Sequence, residues 1–246
     1  SKRAKSYLDQ GITSIKDLGN SGLYLDVALR NAINEGTIEG PRIFASGPIL
    51  AATGGQIYGV LPEHQNIIDS EYRIITSPED AKNAVREHVN QNVDLIKICA
   101  DNLPNKTFLT IDEIKAVVET AHSYNLKVTA HCVTNQSAWN EETEWIDNYL
   151  NIMKDRLNKA IDKGVPVVAG SDNYTDIKVS RGESSSDMFR YYFEAGMKPL
   201  DILQSSTYIS AFHLNKEDEI GYIQPQANAD IIAVKGDIIN DFISTI

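Results

Sequence analysis

The sequence predicts an α/β fold of parallel strands, closed as a (β/α)8 TIM-like barrel. Three observations predict it. Short apolar strands alternate with amphipathic helices along most of the 246 residues, and strands joined through crossover helices must run parallel. The strands are apolar nearly throughout, as in a sheet covered on both faces. Asp17, Lys97, His131 and Asp172 fall near the C-terminal ends of four different strands, the end at which barrel strands converge on one mouth. A doubly wound dinucleotide sheet would show G-x-G-x-x-G after a strand, and that motif follows no strand here.

Residues 1–11, SKRAKSYLDQG, read as the end of an amphipathic helix. ITSIKDL (12–18) alternates apolar and polar positions as a strand does, and LYLDVALRNAINEG (23–36) follows with helical spacing and a glycine stop. RIFASG (42–47) is the next strand. Residues 48–77 read as one long loop containing ATGGQIYGVLPEH, more chain than a connection needs, and such loops carry function. Ser77-Pro78-Glu79-Asp80 opens a helix to about residue 92, with Ser77 as N-cap and Pro78 in the first turn. DLIKICA (94–100) is a strand, TIDEIKAVVETAHSYN (110–125) a helix with Thr110 and Glu113 as capping box, and KVTAHCV (127–133) a strand. Residues 136–163 read as polar-amphipathic helix, VPVVAGSD (165–172) as a strand, 184–195 and 199–214 as helices, and ADIIAVKG (229–236) as a last strand.

Composition narrows the function. Hydrophobic residues make up 42% of the chain and charged residues 23%, a globular balance. The 23 basic and 34 acidic side chains leave −11, which argues against nucleic acid or an anionic membrane as partner and permits a cation. The apolar runs are strand-length, short of the ~20 residues a spanning helix needs. Cys99 and Cys132 are the two cysteines, too few for a disulfide framework and without the C-x-x-C spacing of a thiolate metal site. The compartment is not legible, and self-association is left open.

Lys97, in LIKIC, is an ionisable group inside an apolar strand. Burying an unpaired ammonium is costly, so a carboxylate partner, a depressed pKa or covalent modification is expected unless the amine reaches solvent. His131 ends KVTAH, where an imidazole serves either as metal ligand or as a hydrogen-bonded core group. Asp172 in AGSD offers a metal ligand or a general base, or else caps the following turn. Gln56, Tyr58 and His64 lie on the long loop and are the candidate substrate contacts, Tyr58 as donor to an oxyanion. His88 and His122 lie in helices as surface or packing residues, and His213 ends a helix, where the macrodipole favours positive charge.

Lysine, histidine and aspartate on successive strands, with the segments around them, resemble the amidohydrolase superfamily, in its imidazolonepropionase-like and Xaa-Pro dipeptidase branch. GITSIKDLGNSG resembles the second strand, GPRIFASGPILAATGGQ the third strand and its loop, VDLIKICAD the fourth, LTIDEIKAVVETAHSYNLKVTAHC the helix and fifth strand, and GVPVVAGSDN the eighth. EAGMKPLDILQSSTYISAFHL and ANADIIAVKGD are similar to the closing helices and C-terminal strand. The resemblance implies a small-molecule substrate, an amide or peptide bond hydrolysed with two zinc-like ions, a CO2-derived carbamate on Lys97 bridging them, His131 as ligand, and Asp172 as ligand and base. Dipeptides, including Xaa-Pro, and cyclic amides are the implied substrates.

Relatives also carry H-x-H on a first strand and a histidine on a sixth strand, whereas no histidine lies between His131 and His213 here. The expectation is therefore of an incomplete barrel over 1–214 with a small C-terminal β subdomain over 215–246, and of residues missing before Ser1 and near Asn140–Glu141. Two other readings remain open: a Schiff-base aldolase or lyase using the Lys97 amine, and a non-catalytic binding protein derived from the enzyme.

Overall fold

A computed structural model describes residues 2–19, 22–56, 61–102, 107–131, 144–173 and 179–246. The expected break at Asn140–Glu141, like Tyr58 and Cys132, lies outside the described residues. The chain divides into two units, Ser14–Gln136 and Ser1–Thr13 together with Ser137–Ile246. Among the described residues no helix is long and apolar enough to cross a membrane.

The unit Ser14–Gln136 is built on two parallel sheets, with three of its helices packed on one face. Its main elements are β1 (Ser14–Asp17), α2 (Leu25–Asn34), β2 (Arg42–Ala45), β3 (Ile49–Ala51), α3 (Gln65–Glu71), β4 (Tyr72–Ile74), α4 (Pro78–Asn90), β5 (Leu95–Cys99), α5 (Ile111–Ser123) and β8 (Lys127–His131), with a short antiparallel pair, β6 (Asp101–Asn102) and β7 (Thr107–Phe108), between β5 and α5. The helix α1 (Lys2–Leu8) precedes them in the other unit. β1 pairs with β2, and the second sheet runs β4-β3-β5-β8, every pair parallel. Two changes follow for residues 48–77. They are not one loop, because 49–51 continue the preceding strand and 65–74 form a helix and an edge strand.

The helix ends follow their capping residues. Ser77 Oγ accepts from the Asp80 amide at 3.1 Å, and Thr110 and Glu113 form a reciprocal capping box. α2, α4 and α5 bury Val27, Ala81, Ala84, Val85, Ala116, Val117 and Ala121 against Ile43, Ala45, Leu50, Ile96 and Ile98 of the strands. Each fully buried aliphatic side chain contributes about 1.5–3 kcal/mol. Arg30 reaches from α2 to Asp94 at 2.6 Å, and the same Asp94 oxygen accepts the Ala45 amide at 2.8 Å, so one ion pair ties helix, β2 and the start of β5 together.

β2 and β3 are halves of one strand broken at Ser46–Pro48. Gly47 has φ +67°, its amide donates to Asp26 at 2.7 Å, and a Cβ there would stand 2.6 Å from the Tyr24 ring. The break turns the Pro48 carbonyl toward His88, whose Nε2 lies 2.8 Å away while Nδ1 lies 2.9 Å from the Ala84 carbonyl and 3.3 Å from the Tyr24 hydroxyl. His88 is therefore the packing residue its helix position implied.

The second unit packs α6 (Glu144–Asp162), α7 (Arg181–Glu194), α8 (Pro199–Ser206) and α10 (Phe242–Thr245) around Met197, Ile202 and Phe242, with α9 (Tyr208–His213) against α8. α1 joins it, with Ser6 Oγ accepting the Gly182 amide at 3.2 Å. The expected strands over 165–172 and 229–236 do not form. A strand needs a neighbour for its backbone groups, and among the described residues none pairs with either segment. Ala169 donates instead to the Ser205 carbonyl at 3.0 Å, and Ile231 and Ile232 are 64% and 60% exposed.

Burial holds the His88 imidazole below its ordinary 6.5, outweighing the carbonyls that favour its protonated form. The unfolded chain then takes up a proton that the folded chain does not, so this contribution is present above about pH 6.5 and shrinks as pH falls below it. Calorimetry from pH 7.5 to 5.5 should show Tm falling with acidification, with a shallower slope in His88→Gln than in wild type.

Candidate functional site

Strand alternation assigns each side chain to a face. Ile96 and Ile98 of β5 lie in the helix-covered cluster, as do Leu50 of β3 and Ile43 and Ala45 of β2, with Ile15 of β1 and Val128 of β8 packed against it. Lys16, Phe44, Ile49, Ala51, Leu95, Lys97, Cys99, Thr129 and His131 therefore belong to the opposite face. Ile49, Ala51 and Cys99 confirm it by forming a separate cluster with Ile68 and Tyr72.

On that face Lys97 is in register with Thr129, and Cys99 with His131. Lys97 and His131 thus stand diagonally on neighbouring strands, Lys97 midway along β5 and His131 at the C-terminal end of β8. Cys99, 3% exposed, donates from Sγ to the Asp101 carbonyl at 3.2 Å. Lys16 joins the face from β1, directly opposite Phe44 in register. Burial first, and the Lys97 ammonium second, hold Lys16 below the ordinary lysine range. Sequence reading had passed over Lys16 for Asp17. Asp17 is instead in register with Ala45 of the helix-covered face, and its carboxylate accepts the Gly19 amide at 3.3 Å, a turn role. The signal for Lys16 was present: like Lys97, it is a cation flanked by an apolar β-branched residue within a strand.

The remaining candidates are placed separately. Gln56 is partly buried, and its backbone hydrogen-bonds the Tyr72 hydroxyl. Gly55, at φ +58°, lies so close over the Tyr72 ring that a Cβ would come within 2.7 Å. Tyr72, 6% exposed, thus fixes the start of the loop. Burial, chiefly, raises its hydroxyl pKa and keeps it protonated. His64 ends an exposed 3-10 turn, Pro62–His64. Asp172 belongs to the other unit, is exposed, and adopts φ +47°, a left-handed conformation that aspartate tolerates better than most residues.

The structure therefore brings together Lys97 and His131, with Cys99 beside them in register with His131 and Lys16 on the same face of β1. An imidazole and a carbamate oxygen are donors that suit zinc or a similar divalent ion, so the residues present fit part of a metal site. Among the described residues no group of three or more His, Cys, Asp or Glu is gathered for a metal.

Comparison with known proteins agrees with this arrangement of strands. The amidohydrolase family matches residues 2–147 and 143–245. The chain belongs to that family. It is 31% identical over 145 residues to the ochratoxinase of Aspergillus niger, a match spanning 50% of this chain and 29% of that protein. The structure superposes on a Xaa-Pro dipeptidase with bound methionine in the active site, at a TM-score of 0.76 and 26% identity, covering 98% of this chain and 73% of the other. It also superposes on the A. niger ochratoxinase at a TM-score of 0.78 and 20% identity, covering 98% and 69%. The described strands are part of the barrel these proteins share.

Tyr72→Phe should cost about 1 kcal/mol in urea unfolding, the worth of one hydrogen bond. Gly55→Ala should cost more, since it adds a left-handed alanine to a direct clash with the Tyr72 ring.

Proposed function

We propose that the chain serves a metal-dependent hydrolase of amide or peptide bonds, acting on a dipeptide, Xaa-Pro included, or on a cyclic amide. The observation that carries this reading is the placement of Lys97 and His131 on one face of neighbouring parallel strands. The likeness to a Xaa-Pro dipeptidase and to an ochratoxinase supports the substrate class.

Lys97 as its carbamate, His131 and Asp172 would hold the metal, two zinc ions by resemblance, which when bound supplies Lewis-acid polarisation of the scissile carbonyl and a lowered pKa for water. Lys97 in this form presents two oxygens that share one negative charge, donors suited to a divalent ion. Asp172 takes the proton of the attacking water and delivers it to the leaving nitrogen. Gln56, Tyr58 and His64 contact substrate from the loop after β3, with the Tyr58 hydroxyl donating to the developing oxyanion. The barrel is assigned to 1–214 and the small β subdomain to 215–246, and self-association remains compatible with this reading.

A second reading is a Schiff-base aldolase or lyase through the Lys97 amine, which lies within an apolar strand. Borohydride with a carbonyl substrate separates the two: it labels Lys97 in the lyase and not in the hydrolase. For the hydrolase, zinc-loaded protein in bicarbonate should cleave members of a dipeptide panel. Asp172→Asn should lower kcat about 10²- to 10⁴-fold, the range for loss of a general base. Full activity in Asp172→Asn, or borohydride labelling of Lys97, would contradict the proposal.

A further inference from the structure

Asp172 sits in a run of backbone that no sheet holds among the described residues, so its place depends on what the neighbouring helices supply. α8 and α7 supply it residue by residue. Ala169 donates to the Ser205 carbonyl at 3.0 Å, and the Gly170 amide donates to the Tyr192 hydroxyl at 3.4 Å. Ser171 Oγ lies 3.2 Å from Ser185 Oγ. Asn173 Nδ2 donates to the Arg181 carbonyl at 3.2 Å and reaches Ser185 Oγ at 3.5 Å. The two residues that flank Asp172 thus meet on one hydroxyl. Other serines of these helices bond back to their own helix, as Ser186 does to the Glu183 carbonyl and Ser205 to that of Ile202. Ser185, only 2% exposed, instead spends its hydroxyl on the Asp172 segment. Asp172 itself is exposed and left-handed at φ +47°, a conformation that persists in a non-glycine residue only where its surroundings over-determine it.

We infer that Ser185 is a positioning residue for Asp172, its hydroxyl fixing Ser171 and Asn173 to α7 so that the aspartate between them keeps one place and one backbone conformation. This inference rests on the reading of Asp172 as the general base. A base acts only from within hydrogen-bond reach of the proton it takes, and a site holds that geometry when the residues behind it are themselves locked by packing and hydrogen bonds. Ser185 meets that condition, being buried in the helix and bonded to the chain on both sides of Asp172. Loss of its hydroxyl frees both flanking residues at once. The base is then out of place in part of the molecules while the substrate contacts are untouched, so kcat falls and KM stays.

The test measures kcat and KM of wild type, Ser185→Ala, Ser171→Ala and Ser186→Ala in zinc and bicarbonate, on the dipeptide that wild type cleaves fastest. Each serine variant is then repeated in the Asp172→Asn background. Ser185→Ala should lower kcat about fivefold at unchanged KM, the factor carried by one hydrogen bond. Ser171 is exposed, so Ser171→Ala makes the same comparison even if Ser185→Ala fails to fold. It should lower kcat about twofold, the weak end of the hydrogen-bond range. Ser186→Ala, which alters only a bond within α7, should keep the wild-type kcat. In Asp172→Asn neither Ser185→Ala nor Ser171→Ala should cause a further loss, because no base remains to be positioned. Wild-type kcat in Ser185→Ala, or in Ser171→Ala where that variant stands in, would overturn the role of Ser185 and leave the hydrolase reading intact. So would the same loss repeated in Asp172→Asn, since Ser185 would then support the fold and not the base. Full activity in Asp172→Asn, or a wild type that cleaves no dipeptide, would remove the general-base reading and this inference with it.

Discussion

A β-strand cannot rotate one residue without rotating its neighbours, and that constraint fixes the chemistry of β5. Ile96 and Ile98 are 0% and 2% exposed against α4 and α5. Turning Lys97 into the helix layer would expose both isoleucines and bury an ammonium among Val85, Val117 and Ala121. Each lost isoleucine burial costs about 1.5–3 kcal/mol, and the buried charge adds more. The lysine therefore faces inward as the residue left over when the helices have taken their apolar partners. His131 follows from the same rule, since parallel pairing carries the facing of Cys99 across to it.

The helix-covered side is held by pairs that join elements distant in sequence. Arg30 and Asp94 link α2 to the start of β5, and Arg73 reaches Asp80 and Glu87 at 2.8 Å and 2.7 Å, tying edge strand β4 to α4. The second of these is partly exposed on both sides and contributes modestly. The first has a side chain only 6% exposed on Arg30 and a second bond to backbone, so it sets the register at which β5 begins and, with it, the height of Lys97 on the sheet.

Much of this was legible in the sequence because it depends on neighbours in the chain. The Ser77 cap, the Thr110–Glu113 box and the alternation in LIKIC are local, and each appears where its residues require. The failures share a different cause. Residues 165–172 and 229–236 have strand composition, but a strand exists only beside a partner, and composition does not report one. The helix and edge strand within 65–74 were hidden by the glycines and prolines around them. Lys16 was overlooked because Asp17, next to it, carries the more familiar catalytic side chain; alternation against Ile15 assigns the two residues to opposite faces.

The proposed site is a divalent ion held between Lys97 and His131 on the face opposite α2, α4 and α5. Diffraction data collected at the zinc edge from crystals grown with zinc and bicarbonate test it directly. The account predicts an anomalous peak bonded to the His131 imidazole and to a carbamate oxygen on Lys97, with Lys97 extending away from α4 and α5. A Lys97 side chain lying among the helices, or zinc bound only at sites remote from both residues, would contradict it.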